Sequence, residues 1–302
     1  TYQIERSVFD EKLFKNAALN GAETRQQEKV TEVQCNDEGV EVTTCKADYQ
    51  GRYFIDATGR NALMGRKQKS VNRVRNLGRY ALFQHYKLKS SPEVDALFDS
   101  GNIKILLVDI GWIWAIPLTG KRLSVGLVVN GKPMEMQRDE LFNQYIEASP
   151  LLSALLKKSE NLNTVQAEAD FSYVNERRFG LRYACCGDAA GFLDPVFSSG
   201  FFFAVKTAEI VADRVHQGLI GKTENDPDLH AALDQTYQTG FKTMHLMIER
   251  FYCSNLVNNL LFESDRHLRI KEEIRSLLAG DLWKENNLFQ QGLLRGRRRA
   301  NP

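Results

Sequence analysis

Cysteine is scarce in this sequence and irregularly placed: Cys35, Cys45, Cys185, Cys186 and Cys253 form no CxxC pair. An odd count without that spacing argues against a zinc site and a disulfide framework, so a reducing cytoplasm is the expected setting. Long apolar runs are missing too. Nothing approaches the roughly 18 residues of a membrane span, and no signal peptide opens the chain, so a soluble intracellular protein is expected. The net charge is only +2, too little to point to nucleic acid or a membrane surface as partner. No GxGxxG turn, Ser-His-Asp arrangement or pair of carboxylates can be read. The five histidines (His85, His216, His230, His245, His267) are scattered, as surface or core residues are. Basic residues gather at the extreme end in LLRGRRRANP, where Arg295, Arg297, Arg298 and Arg299 read as a solvated tail.

What is present is ordinary globular composition: 302 residues, 43% hydrophobic and 26% charged, enough for one large domain or two modest ones. The first residue is Thr1, so either the initiator was trimmed or the chain begins inside a longer protein. TYQIERS reads as a short strand, followed by an amphipathic helix, FDEKLFKNAALNGA, ended by Gly21. EKVTEVQCN, VEVTTC and GRYFIDATG read as three strands joined by turns at Asp37, Gly39 and Asp48. GRYALFQHYKL, NIKILLVDI, GWIWAIPL and RLSVGLVVN, broken at Gly111, Gly120 and Gly131, suit an antiparallel sheet. A helical region runs from Gln137 to Lys158. An extended piece, TVQAEADFSYV, leads to the strand RYACCGD. Residues 199–218 are helical by spacing, with Phe202, Val205, Ala208, Val211 and Ala212 on one face. Everything after Asp226 also reads as helical. A cofactor domain interrupted by a substrate-facing sheet gives this order, and so does a single α+β domain without a cofactor.

The stretch that carries chemistry is CCGDAAGFLDPVFSSG, residues 185–200. Gly187 lets the backbone turn after a buried strand, and Asp188 then sits at a strand's carboxyl end, where open α/β sheets bind ligands. Ala189, Ala190 and Gly191 are expected to leave room for a pyrophosphate. Pro195 fixes a turn, and Ser198, Ser199 and Gly200 open the next helix with their amides outward, a place for an anion or an electron-rich ring edge. A capped turn with no ligand is the plainer reading of the same residues. FIDATGR, residues 54–60, is a second strand ending in an acid, small residues and Gly59. Trp112 and Trp114 alternate with Ile113, so both indoles leave one face of a strand, as paired core aromatics also would.

DATG and GDAAGxxDPxxSxG, with an inserted sheet between them, resemble the FAD-dependent monooxygenase superfamily. GWIWAIPL matches the WxWxIP pattern that is typical, within that superfamily, of flavin-dependent halogenases. TYQIERSVFDEKLFKNAALNGA is similar to the strand and helix that precede the family's adenine-contacting strand. The resemblance covers most of the chain, with its specific motifs between Arg6 and Gly200. It implies an α/β fold: an FAD-binding domain of the glutathione-reductase-like type, an inserted antiparallel substrate sheet and a helical C-terminus. The implied boundaries are 1–66 and 180–222 for a partial FAD-binding domain, 67–179 for the sheet domain and 223–302 for the helical region. The family's opening GxGxxG unit of roughly 30 residues is absent from this chain.

The resemblance also implies residue roles. Arg6 reaches the FAD, the backbone near Val30 flanks the adenine, and Gly59 lies beside the cofactor. Asp188 and Ala189 bind the ribitol or phosphate side, Pro195 shapes the turn, and the amides of Gly200 and Phe201 address the flavin ring. A halide, chloride or bromide, sits at Ser199 and Gly200, while Trp112 and Trp114 stand behind the flavin and disfavour direct oxygenation of substrate. Halogenases carry a catalytic lysine, and no lysine here occupies a matching place. Phe197 stands where enzymes acting on free tryptophan have a glutamate, so a phenolic or pyrrole group, free or tethered to an acyl carrier protein, is the expected substrate. The implied chemistry runs from reduced FAD and oxygen through a flavin hydroperoxide to hypohalous acid, with reduced flavin supplied by a separate flavin reductase. Three alternatives stand beside it: a flavin hydroxylase, a geranylgeranyl-reductase-like oxidoreductase, and a non-catalytic fragment that does not hold FAD alone.

Overall fold

The computed structural model describes residues 3–74, 77–131, 136–169, 171–253, 268–284 and 286–295, so His267, Arg297, Arg298 and Arg299 lie outside the described residues. In chain order, α1 (Arg6–Leu19) is followed by β1 (Val30–Cys35), β2 (Val40–Thr44), β3 (Asp48–Gly51), β4 (Phe54–Asp56), α2 (Leu63–Lys67) and β5 (Val71–Arg73). Next come β6 (Arg79–Lys87), α3 (Pro92–Ser100), β7 (Lys104–Val108), β8 (Gly111–Leu118), β9 (Arg122–Asn130), α4 (Arg138–Ala148) and α5 (Pro150–Leu156). Short strands β10 (Glu160–Asn161), β11 (Gln166–Ala169), β12 (Tyr173–Asn175), β13 (Phe179–Gly180), β14 (Tyr183–Cys185) and β15 (Gly191–Phe192) precede the helices α6 (Gly200–Gly221), α7 (Pro227–Cys253), α8 (Leu268–Leu278) and α9 (Leu288–Arg295). These elements form two compact units, one of Thr1–Gln27 and Arg75–Phe171, the other of Glu28–Val74 and Ser172–Pro302.

The first unit is built on an antiparallel sheet in the order β10-β6-β9-β8-β7, with β11 on the same edge of β6 as β10. Alternate residues face alternate sides. Tyr80, Leu82, Ile113, Ala115, Leu123, Val125 and Leu127 form a core with Val94 and Leu97 of α3, Phe142 of α4 and Leu152 of α5. Ser91 caps α3 by accepting from Val94 N, ahead of Pro92 in its first turn. The helical stretch expected between Gln137 and Lys158 is two helices. Pro150 cannot continue the ladder of α4, and Ser149 caps the new start through Leu152 N.

TYQIERS does not form a strand. Arg6 already belongs to α1, Glu5 pairs with Arg122 of β9, and Gln3 Nε2 donates to Gly101 O at 2.8 Å. A strand needs a ladder partner, and no strand among the described residues pairs with residues 3–5. The helix expected next is present as α1, but it is not amphipathic: its apolar residues share no one face, and none of its side chains is buried.

The second unit contains three small sheets: β1-β2-β3, β15-β12-β5 and β13-β14-β4. Asn36 shapes the β1–β2 turn, its Oδ1 accepting from the amides of Glu38 and Gly39 at 2.9 Å each. Asp48, expected in a turn, begins β3 and pairs with Thr43. Glu224, 5% exposed, gathers two guanidiniums: it accepts from Arg52 at 2.6 and 2.9 Å and from Arg182 at 3.2 Å. Arg182 also donates to the carbonyls of Arg52 and Asp37 at 2.9 Å each, so one ionic knot ties three turns to the loop after α6.

The buried side of α6 is Thr207, Val211, Val215 and Gly218, which shares only Val211 with the face expected from spacing. Val205 is 49% exposed, and Ala208 and Ala212 are exposed too. The helix opens FFFAV, apolar on several sides, so periodicity alone does not fix which side turns inward. Val211 and Val215 pack with Ala184, Cys186 and Leu233. After Asp226 the described residues are largely helical, with Trp283 Nε1 donating to Thr236 O of α7 at 2.7 Å. Among the described residues no helix is long and apolar enough to cross a membrane, and no cluster of acids, histidines and cysteines could hold a metal ion.

Gly126 of β9 faces Trp114 of β8, and a Cβ there would lie 2.1 Å from the indole. Gly126→Ala therefore overpacks the sheet and is expected to cost about 1–3 kcal/mol, read as a lower urea midpoint at unchanged slope.

Candidate functional site

Strands β4 and β14 pair in parallel, with Phe54 opposite Tyr183, Ala184 opposite Ile55 and Cys185 opposite Asp56. Phe54 N donates to Arg182 O at 2.8 Å, and Cys186 N donates to Asp56 O at 3.0 Å. The two motifs singled out in the sequence thus end side by side. Their 3-10 turns, Gly59–Asn61 and Gly187–Ala189, lie against each other at the carboxyl ends of parallel strands.

The acid of the first motif does not reach outward. Asp56 is 0% exposed, and its carboxylate accepts from Thr58 N at 3.0 Å, Thr58 Oγ1 at 2.6 Å and Met64 N at 2.8 Å. Three donors on one buried carboxylate fix the path of residues 57–64. Sequence reasoning gave Asp56 no such role. The available signal was the D-x-T spacing, at which an aspartate side chain holds a backbone N–H two residues on.

Gly187 has φ +56°, a left-handed conformation that glycine adopts without a steric penalty. A Cβ there would sit 3.1 Å from Ala204 Cβ, so α6 packs directly on the turn. Thr207 of α6 accepts from Gly187 N at 2.8 Å and donates onward to Phe203 O at 2.6 Å. On the other side, Tyr173 Oη donates to Asp188 O at 2.7 Å, and Asp188 itself is half-buried. Neither Thr207 nor Tyr173 stands out in the sequence, because each acts through a backbone partner far along the chain.

The small residues that follow face inward rather than onto an open cradle. Ala189 and Ala190 are fully buried, and Asn175 Nδ2 donates to Ala189 O at 3.4 Å. A Cβ at Gly191 would lie 3.0 Å from both Tyr173 O and Tyr237 Oη, so that glycine makes room for its own core. Pro195 opens the 3-10 turn Pro195–Phe197, capped by Asp194 through Val196 N at 2.9 Å. Ser198 is left-handed at φ +52°, and its amide donates to Pro195 O at 2.9 Å, so it is not turned outward as expected. Ser199 is the N-cap of α6, without a side-chain capping bond, and its carbonyl accepts from Phe203 N at 2.9 Å. Gly200 and Phe201 form the first turn of that 22-residue helix.

The buried thiols beside this turn are poor nucleophiles. Burial, then the Asp56 carboxylate, raises Cys185 well above the ordinary thiol range and pushes Cys186 up to about 11. Burial likewise raises the hydroxyl of Tyr173 and lowers His230, so neither titrates as an ordinary acid or base.

Of the residues expected to act together, Val30, Gly59, Asp188, Ala189, Pro195, Ser199, Gly200 and Phe201 lie in the second unit, whereas Arg6, Trp112 and Trp114 lie in the first. Val30 opens β1 opposite Thr44, and Arg6 is exposed and paired with Asp10 at 2.8 Å. Trp112 is 2% exposed and Trp114 half-buried, with ring centroids 5.8 Å apart and Phe83 at 6.3 Å from Trp114. Trp114 Nε1 donates to Ser124 Oγ at 3.2 Å, which fixes the indole's rotation over Gly126.

The mixed α/β fold of the chain, with its helical C-terminal part, matches solved structures of flavin-dependent halogenases. The model of the tryptophan halogenase family matches residues 1–293, and the chain belongs to that family. It is 25% identical to the 1H-pyrrole-2-carbonyl peptidyl-carrier-protein chlorinase of Pseudomonas fluorescens, over 95% of this chain and 66% of that protein. It is 27% identical to the tryptophan 2-halogenase of Chondromyces crocatus, over 90% of this chain and 54% of that one. The solved flavin-dependent brominase Bmp2 superposes with a TM-score of 0.83 at 25% identity, covering 100% of this chain and 77% of that one. The chain thus spans between about half and two thirds of the length of these curated relatives. The family uses FAD.

Two outcomes follow from this geometry. Asp56→Ala leaves the amides of Thr58 and Met64 without an acceptor and is expected to cost about 3 kcal/mol in a urea titration. In native labelling with iodoacetamide at neutral pH, the exposed Cys45 and Cys253 react, while Cys185 and Cys186 react only after unfolding, as read by peptide mass spectrometry.

Proposed function

We propose that this chain acts in the FADH2-dependent halogenation of a phenolic, pyrrole or carrier-protein-bound aromatic substrate, with chloride or bromide as the halogen source. The observation that carries the reading is the side-by-side placement of the DATG and GDAAG turns, with α6 starting a few residues beyond. The residues present fit a flavin nucleotide. A Cβ placed on Gly59 would meet nothing within 4 Å, so the backbone there is open to close approach. Asp188, half-buried at a strand's end, suits hydroxyls on the ribitol or phosphate side, and the fully buried Ala189 supports that turn from behind.

In this reading Pro195 and the buried Asp194 hold the turn, the first-turn amides of α6 at Gly200 and Phe201 address the ring, and Ser199 and Gly200 receive the halide. The positive end of the α6 dipole favours an anion there. Val30 flanks the adenine with its backbone, and Arg6 reaches the cofactor from α1. Trp112 and Trp114, the latter held over Gly126 by its bond to Ser124, form the rigid aromatic pair that disfavours direct oxygenation of substrate. Reduced FAD, delivered by a separate flavin reductase, supplies with oxygen the oxidising equivalent that converts halide to hypohalous acid. No lysine of this chain is assigned a catalytic role. Residues 1–66 and 180–222 are proposed as the cofactor part, 67–179 as the substrate part and 223–302 as the helical part. The likeness to a chlorinase named for a carrier-bound pyrrole supports the substrate class, as does the aromatic residue at position 197.

The purified protein with FAD, a flavin reductase, NADH and a panel of phenols and pyrroles is expected to give halogenated product only when chloride or bromide is present, read by mass spectrometry. Hydroxylated or saturated product that forms regardless of halide would overturn the proposal.

A further inference from the structure

The last turn of α7 brings an aromatic corner to the turn that opens α6. Phe251 meets Phe197 edge to face, with ring centroids 5.7 Å apart and planes at 81°. Both rings are half-buried, and Ser198, next to Phe197, is exposed. Tyr252 packs on Phe251 at 5.0 Å and 84°, and its hydroxyl donates to Asp194 Oδ1 at 3.0 Å. That same oxygen accepts from Val196 N, and Asp194 is 1% exposed. A buried carboxylate therefore fastens the end of α7 to the backbone that carries Phe197 and the left-handed Ser198.

We infer that Phe251 is a specificity-determining residue: with Phe197 it forms a two-ring wall that takes a flat, uncharged, electron-rich ring beside Ser199 and Gly200. Tyr252 is the positioning residue that keeps this wall in register with the turn. Two rings at right angles present one face and one edge, so a planar guest can stack on the first and meet the second edge-on. The carboxylate bonded to this corner is only 1% exposed, behind the rings, so an ammonium held against the wall loses water without reaching that partner. A phenol or a pyrrole carboxamide carries no such charge, whereas an amino-acid zwitterion does. The inference rests on the halogenase reading for the meaning of the turn, but not for the existence of the wall.

Saturation-transfer NMR with the purified 302-residue chain tests it, using phenol, pyrrole-2-carboxamide and L-tryptophan as probes and thermal melts to show that variants fold. The wild type is expected to bind the two neutral rings at least tenfold more tightly than L-tryptophan. Phe251→Ala should weaken phenol about tenfold and shrink its preference over L-tryptophan, a change of ratio that a merely structural defect does not produce. Phe251→Leu, which keeps apolar volume, should retain part of the affinity, and Tyr252→Phe should weaken both neutral rings alike. If Phe251→Ala fails to fold, Phe251→Leu carries the test by the same ratio. The wall is overturned if folded Phe251 variants keep the wild-type preference, if L-tryptophan binds best, or if the wild type binds none of the rings. Halide dependence of product is a separate readout: its loss alongside an intact ring preference sinks the halogenase reading and leaves the wall standing.

Discussion

Two three-residue strands, β4 and β14, lie parallel, and the arrangement of the candidate site depends on that short ladder. Parallel strands cannot be joined by a tight turn, and here the connection between them includes the whole six-stranded sheet of the first unit. So few ladder bonds hold weakly by themselves. The Asp56 carboxylate reinforces them by binding the turn that follows β4, while Thr207 and Tyr173 bind the turn that follows β14. Each turn is thus held by side-chain hydrogen bonds of 2.7–3.0 Å, leaving little freedom where a cofactor is proposed to lie.

The same constraint explains the density of small residues after β14. Ala189 and Ala190 are small because α6 and the neighbouring strands close over them, and Gly191 because Tyr237 and Phe241 approach it. Backbone conformation also requires glycine at Gly187 and Gly191, whose φ are +56° and +157°, and at Gly187 that turn coincides with the approach of Ala204. What reads as space left for a ligand is for the most part space filled by the protein. The proposed contacts therefore shift from the alanine side chains to the Asp188 carboxyl, the Gly59 backbone and the start of α6.

In the first unit, the indole of Trp114 lies over Gly126 and donates to Ser124, both on β9, so its position is set by cross-strand pairing. Its partner Trp112 is almost wholly covered. The opposite face of the sheet is an apolar core under α3, α4 and α5, which keeps the aromatic face from rearranging. A rigid aromatic surface is the property that the proposed chemistry asks of this pair.

Local pattern in the sequence was enough to place β6, β7, β8 and β9, to put both tryptophans on one face, and to find the two motifs that end in glycine turns. Those features follow from residue alternation and from turn chemistry, which act over a few neighbours and survive in any fold. The direction in which each small or acidic residue points was not legible. Asp56 turned inward, Ser198 spent its amide on Pro195, α6 buried a different stripe, and residues 3–5 found an ion pair and a carbonyl instead of a ladder. The stripe of α6 and the contacts of residues 3–5 were decided by partners remote in sequence, whereas Asp56 and Ser198 were claimed by backbone and hydroxyl groups only a few residues away, through short-range bonds that periodicity does not register. The sequence by itself determined which elements form and which motifs they carry, because periodicity and turn propensity are local. Only the tertiary structure decided which groups remain available for chemistry, because burial and hydrogen-bond satisfaction depend on contacts across the whole unit.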